Sequence, residues 1–231
     1  KPLDYVLDPF CGSGTILQEA ILMGFKAVGS DLDPKAVENS EKNLEWFRNR
    51  YSVSPGRYKL LRSHAAEISI MLPNYKVAAI VTEGTLGPIY GKLPRKTEMQ
   101  KNFRDLAKLY GQVFTEFKKF LPPGAKVVIC LPAYKTGPAD YEFMPNLDFA
   151  LENGYNIRDP FPEHLSAKYR FLRLTPRKTM VYDRRDQVVA REIVIFTYGT
   201  INQETVIESA AESEETESEK ERPNDQTPIA D

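Results

Sequence analysis

The chain is poor in the residues that build metal or disulfide sites. Its 231 residues include two cysteines, Cys11 and Cys130, and two histidines, His64 and His164. These are too few and too scattered for a disulfide framework or a zinc cluster, so no metal site is expected and a reducing cytoplasm is the expected location. No run approaches the roughly 18 consecutive apolar residues of a membrane span, and no basic segment followed by an apolar stretch and a cleavage site opens the chain. A soluble protein with no membrane partner is expected. Acidic and basic residues nearly cancel, at 32 and 31, but unevenly. Residues 203–231 hold ten Asp and Glu against Lys220 and Arg222, which leaves 29 basic and 22 acidic residues in positions 1–202. That last stretch has too little apolar material for a core and reads as an acidic, disordered tail. A basic body suits a polyanion partner, because a positive surface draws in phosphates.

What is present is enough for one folded domain over residues 1–202. Hydrophobic residues make up 42% of the chain, with twelve Tyr and twelve Phe. Short apolar runs alternate with amphipathic stretches, the pattern of βαβ units in a mostly parallel sheet. Strands are expected at Tyr5–Leu7, Ala27–Ser30, Arg57–Leu61, Val77–Thr82 and Ala125–Leu131. Helices are expected from Thr15 to Met23, stopped by Gly24, and from Pro34 towards Tyr51. A third follows from Thr97 to Phe120, and Asp148–Asn153 closes another before Gly154. Gly84, Gly87, Pro88, Gly91 and Pro94 mark a loop over Gly84–Lys96. Thr179–Tyr182 and Ala190–Tyr198 flank a charged turn and read as an antiparallel hairpin at the sheet edge.

The first strand runs through Asp8-Pro9-Phe10 into Cys11-Gly12-Ser13-Gly14-Thr15 and then into a helix. Glycines at such a turn supply permissive backbone angles and let a ligand rest against the chain. Asp31 follows at the tip of the second strand, where a carboxylate can accept both hydroxyls of a ribose. No Lys follows Gly14, so the spacing disfavours a nucleoside triphosphate loop.

The run Asp8 to Thr15 resembles the first motif of class I methyltransferases that modify exocyclic amines of nucleic-acid bases. It is most similar to the THUMP-associated tRNA guanosine-N2 methyltransferases, and the likeness in element order extends over about residues 3–198. The resemblance implies an α/β, Rossmann-like sheet of seven strands, mostly parallel, with an antiparallel edge strand and helices on both faces. It also implies S-adenosyl-L-methionine as cofactor. Asp8, Gly12 and Gly14 would contact its methionine part, with Phe10 and Thr15 in the same turn. Asp31 would hold its ribose and Leu32 would pack on its adenine.

Two positions depart from the family pattern. After the third strand, an acidic residue usually accepts the adenine amine, but this chain has Ser63-His64-Ala65-Ala66. Either His64 supplies an acceptor nitrogen or it is a loop histidine without that role. At the tip of the fourth strand, relatives carry Asp or Asn, two prolines and an aromatic. Here the chain reads Thr82-Glu83-Gly84-Thr85-Leu86-Gly87-Pro88. Glu83 and the carbonyl of Gly84 are the candidate acceptors for the target amine, and Glu83 is the candidate catalytic residue. Its alternative is a strand-end glutamate in a local ion pair. Tyr90 is the nearby aromatic, as base platform or as packing residue.

The expected target is an exocyclic amine (N2) of guanine in tRNA or another structured RNA. A DNA amino-methyltransferase and a non-catalytic module that binds cofactor and RNA are the competing readings. Lys92, Arg95, Lys96, Lys101, Arg170, Arg173, Arg177, Lys178, Arg184 and Arg185, with Tyr169 and Phe171, are candidate RNA contacts. By the same resemblance, an RNA-binding domain is expected upstream of residue 1.

Overall fold

In the computed structural model, which describes residues 4–169 and 174–199, the chain alternates strand and helix from its start. The order is β1 (Tyr5–Asp8), α1 (Thr15–Leu22), β2 (Lys26–Asp31), α2 (Pro34–Tyr51) and β3 (Tyr58–Arg62), then a 3-10 helix over Ala65–Met71 and β4 (Val77–Thr82). The second half holds α3 (Lys96–Phe117), β5 (Lys126–Gly137), β6 (Asp140–Phe143), α4 (Asp148–Leu151), β7 (Tyr155–Arg158), α5 (Glu163–Lys168), β8 (Met180–Tyr182) and β9 (Val189–Tyr198). The helix ends follow local chemistry. Asp33 accepts the Lys35 N–H at 2.9 Å ahead of Pro34 to start α2. The N–H of Phe25 reaches back to the Ala20 carbonyl, closing α1 around Gly24.

The strands form one sheet in the order β3-β2-β1-β4-β5-β9-β7, with β6 added to β5 and β8 to β9. β1 to β5 pair in parallel, and β9 runs antiparallel to both β5 and β7. The parallel sheet and the β8–β9 hairpin agree with the pattern read from the sequence. The antiparallel strand stands one place inside the edge, because Tyr155–Arg158 pairs outside it. That strand, β6 and the 3-10 helix are too short to carry a readable period. The helix expected to end at Asn153 is a single turn, α4. Arg170, Phe171, Arg173 and the acidic tail lie outside the described residues.

Alternation along the strands divides the core in two. Val6 and Ala27 face α1 and α2, where Leu17, Ile21, Leu44 and Phe47 complete one cluster. Their neighbours Leu7 and Val28 face the opposite side, with Ile80, the 3-10 helix, α3 and α4. Helices therefore cover both faces. On the second face Phe114 is the hub, with ring centroids of Phe117, Phe149, Tyr155 and Phe196 at 4.9–5.6 Å. Aromatic pairs of this kind contribute about 0.5–1.5 kcal/mol each beyond their buried area.

The chain leaves β1 for β2 and β3 on one side and returns to β4 on the other. Strand order thus reverses at β1, and the crevice beyond the carboxyl ends of β1 and β4 is where open α/β sheets bind ligands.

Candidate active site

The glycine turn lies at that crevice. Gly14 caps α1 with φ +83°, and a Cβ there would lie 3.0 Å from the Ser40 hydroxyl. Gly12 has open space where its side chain would be. Side chains of α2 hold the turn from behind: the Ser40 hydroxyl donates to the Gly12 carbonyl at 2.8 Å, and the Asn43 amide donates to the Ser13 carbonyl at 2.9 Å. Neither residue was singled out from the sequence. They are three apart, so they share one face of α2. Phe10 packs edge-on to Tyr110 at 6.2 Å, and Thr15 is exposed at the start of α1.

Asp31 is tied to this turn. One carboxylate oxygen accepts the Gly12 N–H and the other the Asp33 N–H, both at 3.0 Å. Each oxygen retains a lone pair for a further donor. Asp8 is buried at the end of β1, 1% exposed, and accepts the Phe10 N–H at 3.1 Å. Burial pushes its carboxyl up to about 7; the Thr82 hydroxyl and the Phe10 N–H pull it down, and repulsion from Asp31 and Glu83 adds to the rise. Asp8 therefore feels the carboxylates of two other strand tips, Asp31 and Glu83, at the crevice.

Beyond Asp31, the exposed Leu32 lines an open cavity of about 480 Å³ with Arg62, Ser63, His64, Glu67, Ile70 and Met71. His64 Nδ1 accepts the Ala66 N–H at 3.1 Å and caps the 3-10 helix. A neutral imidazole has one acceptor nitrogen and an imidazolium has none. His64, weighed either as an acceptor for the adenine amine or as a loop histidine without that role, spends Nδ1 on the Ala66 N–H, which favours the second reading. The carboxylate among the lining residues is Glu67, which the sequence did not single out.

The loop after β4 is held from α3. The Tyr110 hydroxyl accepts the Thr85 N–H at 2.9 Å and donates to the Thr85 carbonyl at 2.6 Å. The Asn102 amide donates to the Leu86 carbonyl at 2.9 Å and to the Tyr134 hydroxyl at 2.7 Å. Asn102, Leu106 and Tyr110 are spaced by four on the buried stripe of α3. A polar residue on that stripe was the one signal of the lock that the sequence carried. Gly84 has φ +70°, and its N–H donates to the Thr82 hydroxyl at 3.1 Å.

Glu83, half exposed, is paired with Arg191 of β9 at 2.8 Å. The ion pair weighed against a catalytic role is therefore present. Next to it, Leu86–Gly91 and Asp186–Val189, with Arg191, line a cleft of about 350 Å³. Tyr90 lies in its wall, edge-on to Tyr134 at 5.9 Å, so it serves in packing while bordering the cleft.

The basic residues separate into two groups. Arg177 is removed from the surface set: it pairs with Glu192, donates to the Met144 carbonyl at 2.7 Å and lies over the Phe143 ring. Lys178 pairs with Asp159, Arg95 with Glu98 and Lys101 with Asp105. Lys92 and Lys96 on one side, and Arg184 and Arg185 on the other, are exposed next to the segments that form the two walls of the cleft. Among the described residues no group of three or more His, Cys, Asp or Glu could hold a metal ion, and no helix is long and apolar enough to cross a membrane.

A family model described as DNA methylase matches residues 1–42. A tRNA (guanine(10)-N2)-dimethyltransferase of Methanothermobacter thermautotrophicus is 32% identical over 158 residues, which are 68% of this chain and 40% of that protein. A probable tRNA (guanine(10)-N2)-dimethyltransferase of Methanothermococcus thermolithotrophicus is 31% identical over 123 residues, 52% of this chain and 74% of the relative. The chain spans 40% of the length of the first of these relatives. Among solved structures, TrmN from Thermus thermophilus shares the fold, with a TM-score of 0.54 at 22% identity over 85% of this chain and 44% of that one. With the glycine turn, the strand order and these relatives in agreement, the chain belongs to the tRNA guanine-N2 methyltransferase family of class I methyltransferases.

Proposed function

We propose that this chain is the catalytic domain of an S-adenosyl-L-methionine-dependent enzyme that methylates the N2 amine of guanine in tRNA. The observation that carries this reading is the placement of Asp8, Asp31 and Glu83 at three strand tips around an open glycine turn. An anionic crevice of this form suits a cofactor with a sulfonium and an ammonium group. Gly12 leaves room above the backbone for it. Asp31, fixed by two backbone N–H groups, has lone pairs for the ribose hydroxyls. Leu32, Ile70 and Met71 supply apolar walls for adenine, and Glu67 supplies an acceptor for its amine. Bound there, the cofactor supplies an electrophilic methyl group.

The chain's own residues handle the target amine. Glu83 accepts one amine N–H, and the Gly84 carbonyl is the second acceptor, which raises electron density on the nitrogen whose lone pair would form the N–C bond as the methyl–sulfur bond of the bound cofactor breaks. The amine proton leaves to Glu83 and from there to water. Pro88, Ile89 and Tyr90 form one wall for the base, and Ile89 is fully exposed. The cations at both rims suit the phosphates of a structured RNA. RNA as partner and a cytoplasmic location belong to this reading.

The test is transfer of labelled methyl to unmodified total tRNA by the full-length protein, with nucleoside analysis of the product. Label in N2-methylguanosine or its dimethyl form is the expected result. With DNA offered in a parallel reaction, label confined to adenine of DNA favours the amino-methyltransferase reading, and no label in either nucleic acid with cofactor bound favours a non-catalytic module.

A further inference from the structure

Glu83 is followed by Gly84 and its side chain is half exposed. A glutamate has one more rotatable bond than an aspartate, so an acceptor built this way needs its orientation from elsewhere. Arg191 meets that need from 108 residues away. It sits on β9 opposite Pro132 of β5 and Tyr182 of β8, and its side chain crosses to the loop after β4. Nε and Nη2 both donate to the same carboxylate oxygen, Oε1, at 3.1 and 2.8 Å. An ion pair built for strength alone spreads its two bonds over both oxygens. Here Oε1 carries both, and Oε2 is left for a further donor. Nη1 in turn bonds Gln187, in the turn that lines the cleft.

We propose that Arg191 is a positioning residue: it anchors Glu83 through Oε1 so that Oε2 meets the target amine, and Gln187 orients Arg191 for that task. The inference rests on the reading of Glu83 as the amine acceptor. It gives the strand inserted beside β5 a part in the chemistry, exerted through Glu83.

The experiment is a double-mutant cycle on kcat and KM for methyl transfer to nucleic acid, with cofactor affinity and unfolding midpoint measured for each variant. Arg191→Gln is expected to lower kcat roughly ten- to hundredfold with KM and cofactor affinity unchanged. Arg191→Lys is expected to recover part of that loss, and Arg191→Gln to cost less than twofold more once Glu83→Gln is in place. Gln187→Ala, a milder change in the turn, is expected to give a smaller loss that also vanishes in the Glu83→Gln background, and it serves if Arg191→Gln fails to fold. An unchanged kcat in both variants, or the same fold-loss in the Glu83→Gln background, overturns the positioning role while the functional reading stands. Full activity of Glu83→Gln removes the acceptor assignment and this inference with it. Transfer to an amine other than guanine N2 overturns the proposed target while the cycle still scores the coupling. No transfer by the unaltered protein to any nucleic acid overturns both.

Discussion

The hydroxyl of Tyr110 stands where a side chain on Gly84 would begin: a Cβ built on Gly84 would lie 2.6 Å from it. The same hydroxyl holds both the N–H and the carbonyl of Thr85. Position 84 therefore accommodates glycine because α3 locks the loop from beneath. Gly84→Ala is expected to destabilise the fold by about 1–3 kcal/mol through overpacking and its positive φ. Tyr110→Phe is expected to cost about 1–3 kcal/mol by leaving the Thr85 groups unpaired. Because the second change removes the atom that the first collides with, the double variant should fall short of the sum by about 1 kcal/mol in urea unfolding. Strict additivity would show that the contact has no energetic consequence.

Asp8 links the crevice to pH. Its folded value of about 7 lies above the ordinary 3.8, so the folded chain holds a proton that the unfolded chain has released between those limits. Stability contributed by this group is therefore full below about pH 4 and is lost as pH rises towards 7. The free chain should lose stability between about pH 4 and about pH 7, and Asp8→Asn should flatten that slope. A cationic ligand favours the ionised form, so cofactor affinity should rise through pH 7 with release of a proton. Calorimetry in buffers of different ionisation enthalpy measures that proton, and its absence would count against Asp8 at the cofactor.

Arg177 was a candidate RNA contact, and the fold gives it other work. Glu192 is fully buried and is held by Arg177 and by the Thr179 hydroxyl at 2.5 Å. Removing one partner leaves a buried charge, which costs about 3–5 kcal/mol. Arg177→Gln should therefore lower the unfolding free energy by that amount. Under conditions where the variant is folded, its tRNA affinity and salt dependence should match those of the parent. Loss of RNA affinity without loss of stability would return Arg177 to the interface.

At the adenine end, Glu67→Ala should weaken binding of S-adenosylhomocysteine by about tenfold. An analogue whose purine lacks the 6-amine should bind the variant and the parent equally. Equal weakening of both ligands would mean that Glu67 shapes the cavity without reading the amine.

The glycine turn, Asp31 and the parallel sheet were legible in the amino-acid sequence because each is a local property. A tight strand-to-helix turn demands glycine, a strand-tip carboxylate follows one βαβ unit later, and a buried parallel strand shows as a continuous apolar run. The short strands β6 and β7 left no such pattern. What only the tertiary structure decided is the set of partners: Arg191 on Glu83, Tyr110 beneath Gly84, Arg177 on Glu192 and Ala66 on His64. In the first three, partners 15 to 108 residues apart meet through strand order, strand register and helix packing. In the fourth, the spacing is short, but which imidazole nitrogen is taken depends on how the chain turns after β3. Periodicity shows which face a side chain occupies, and the pairing of distant elements determines what it meets there.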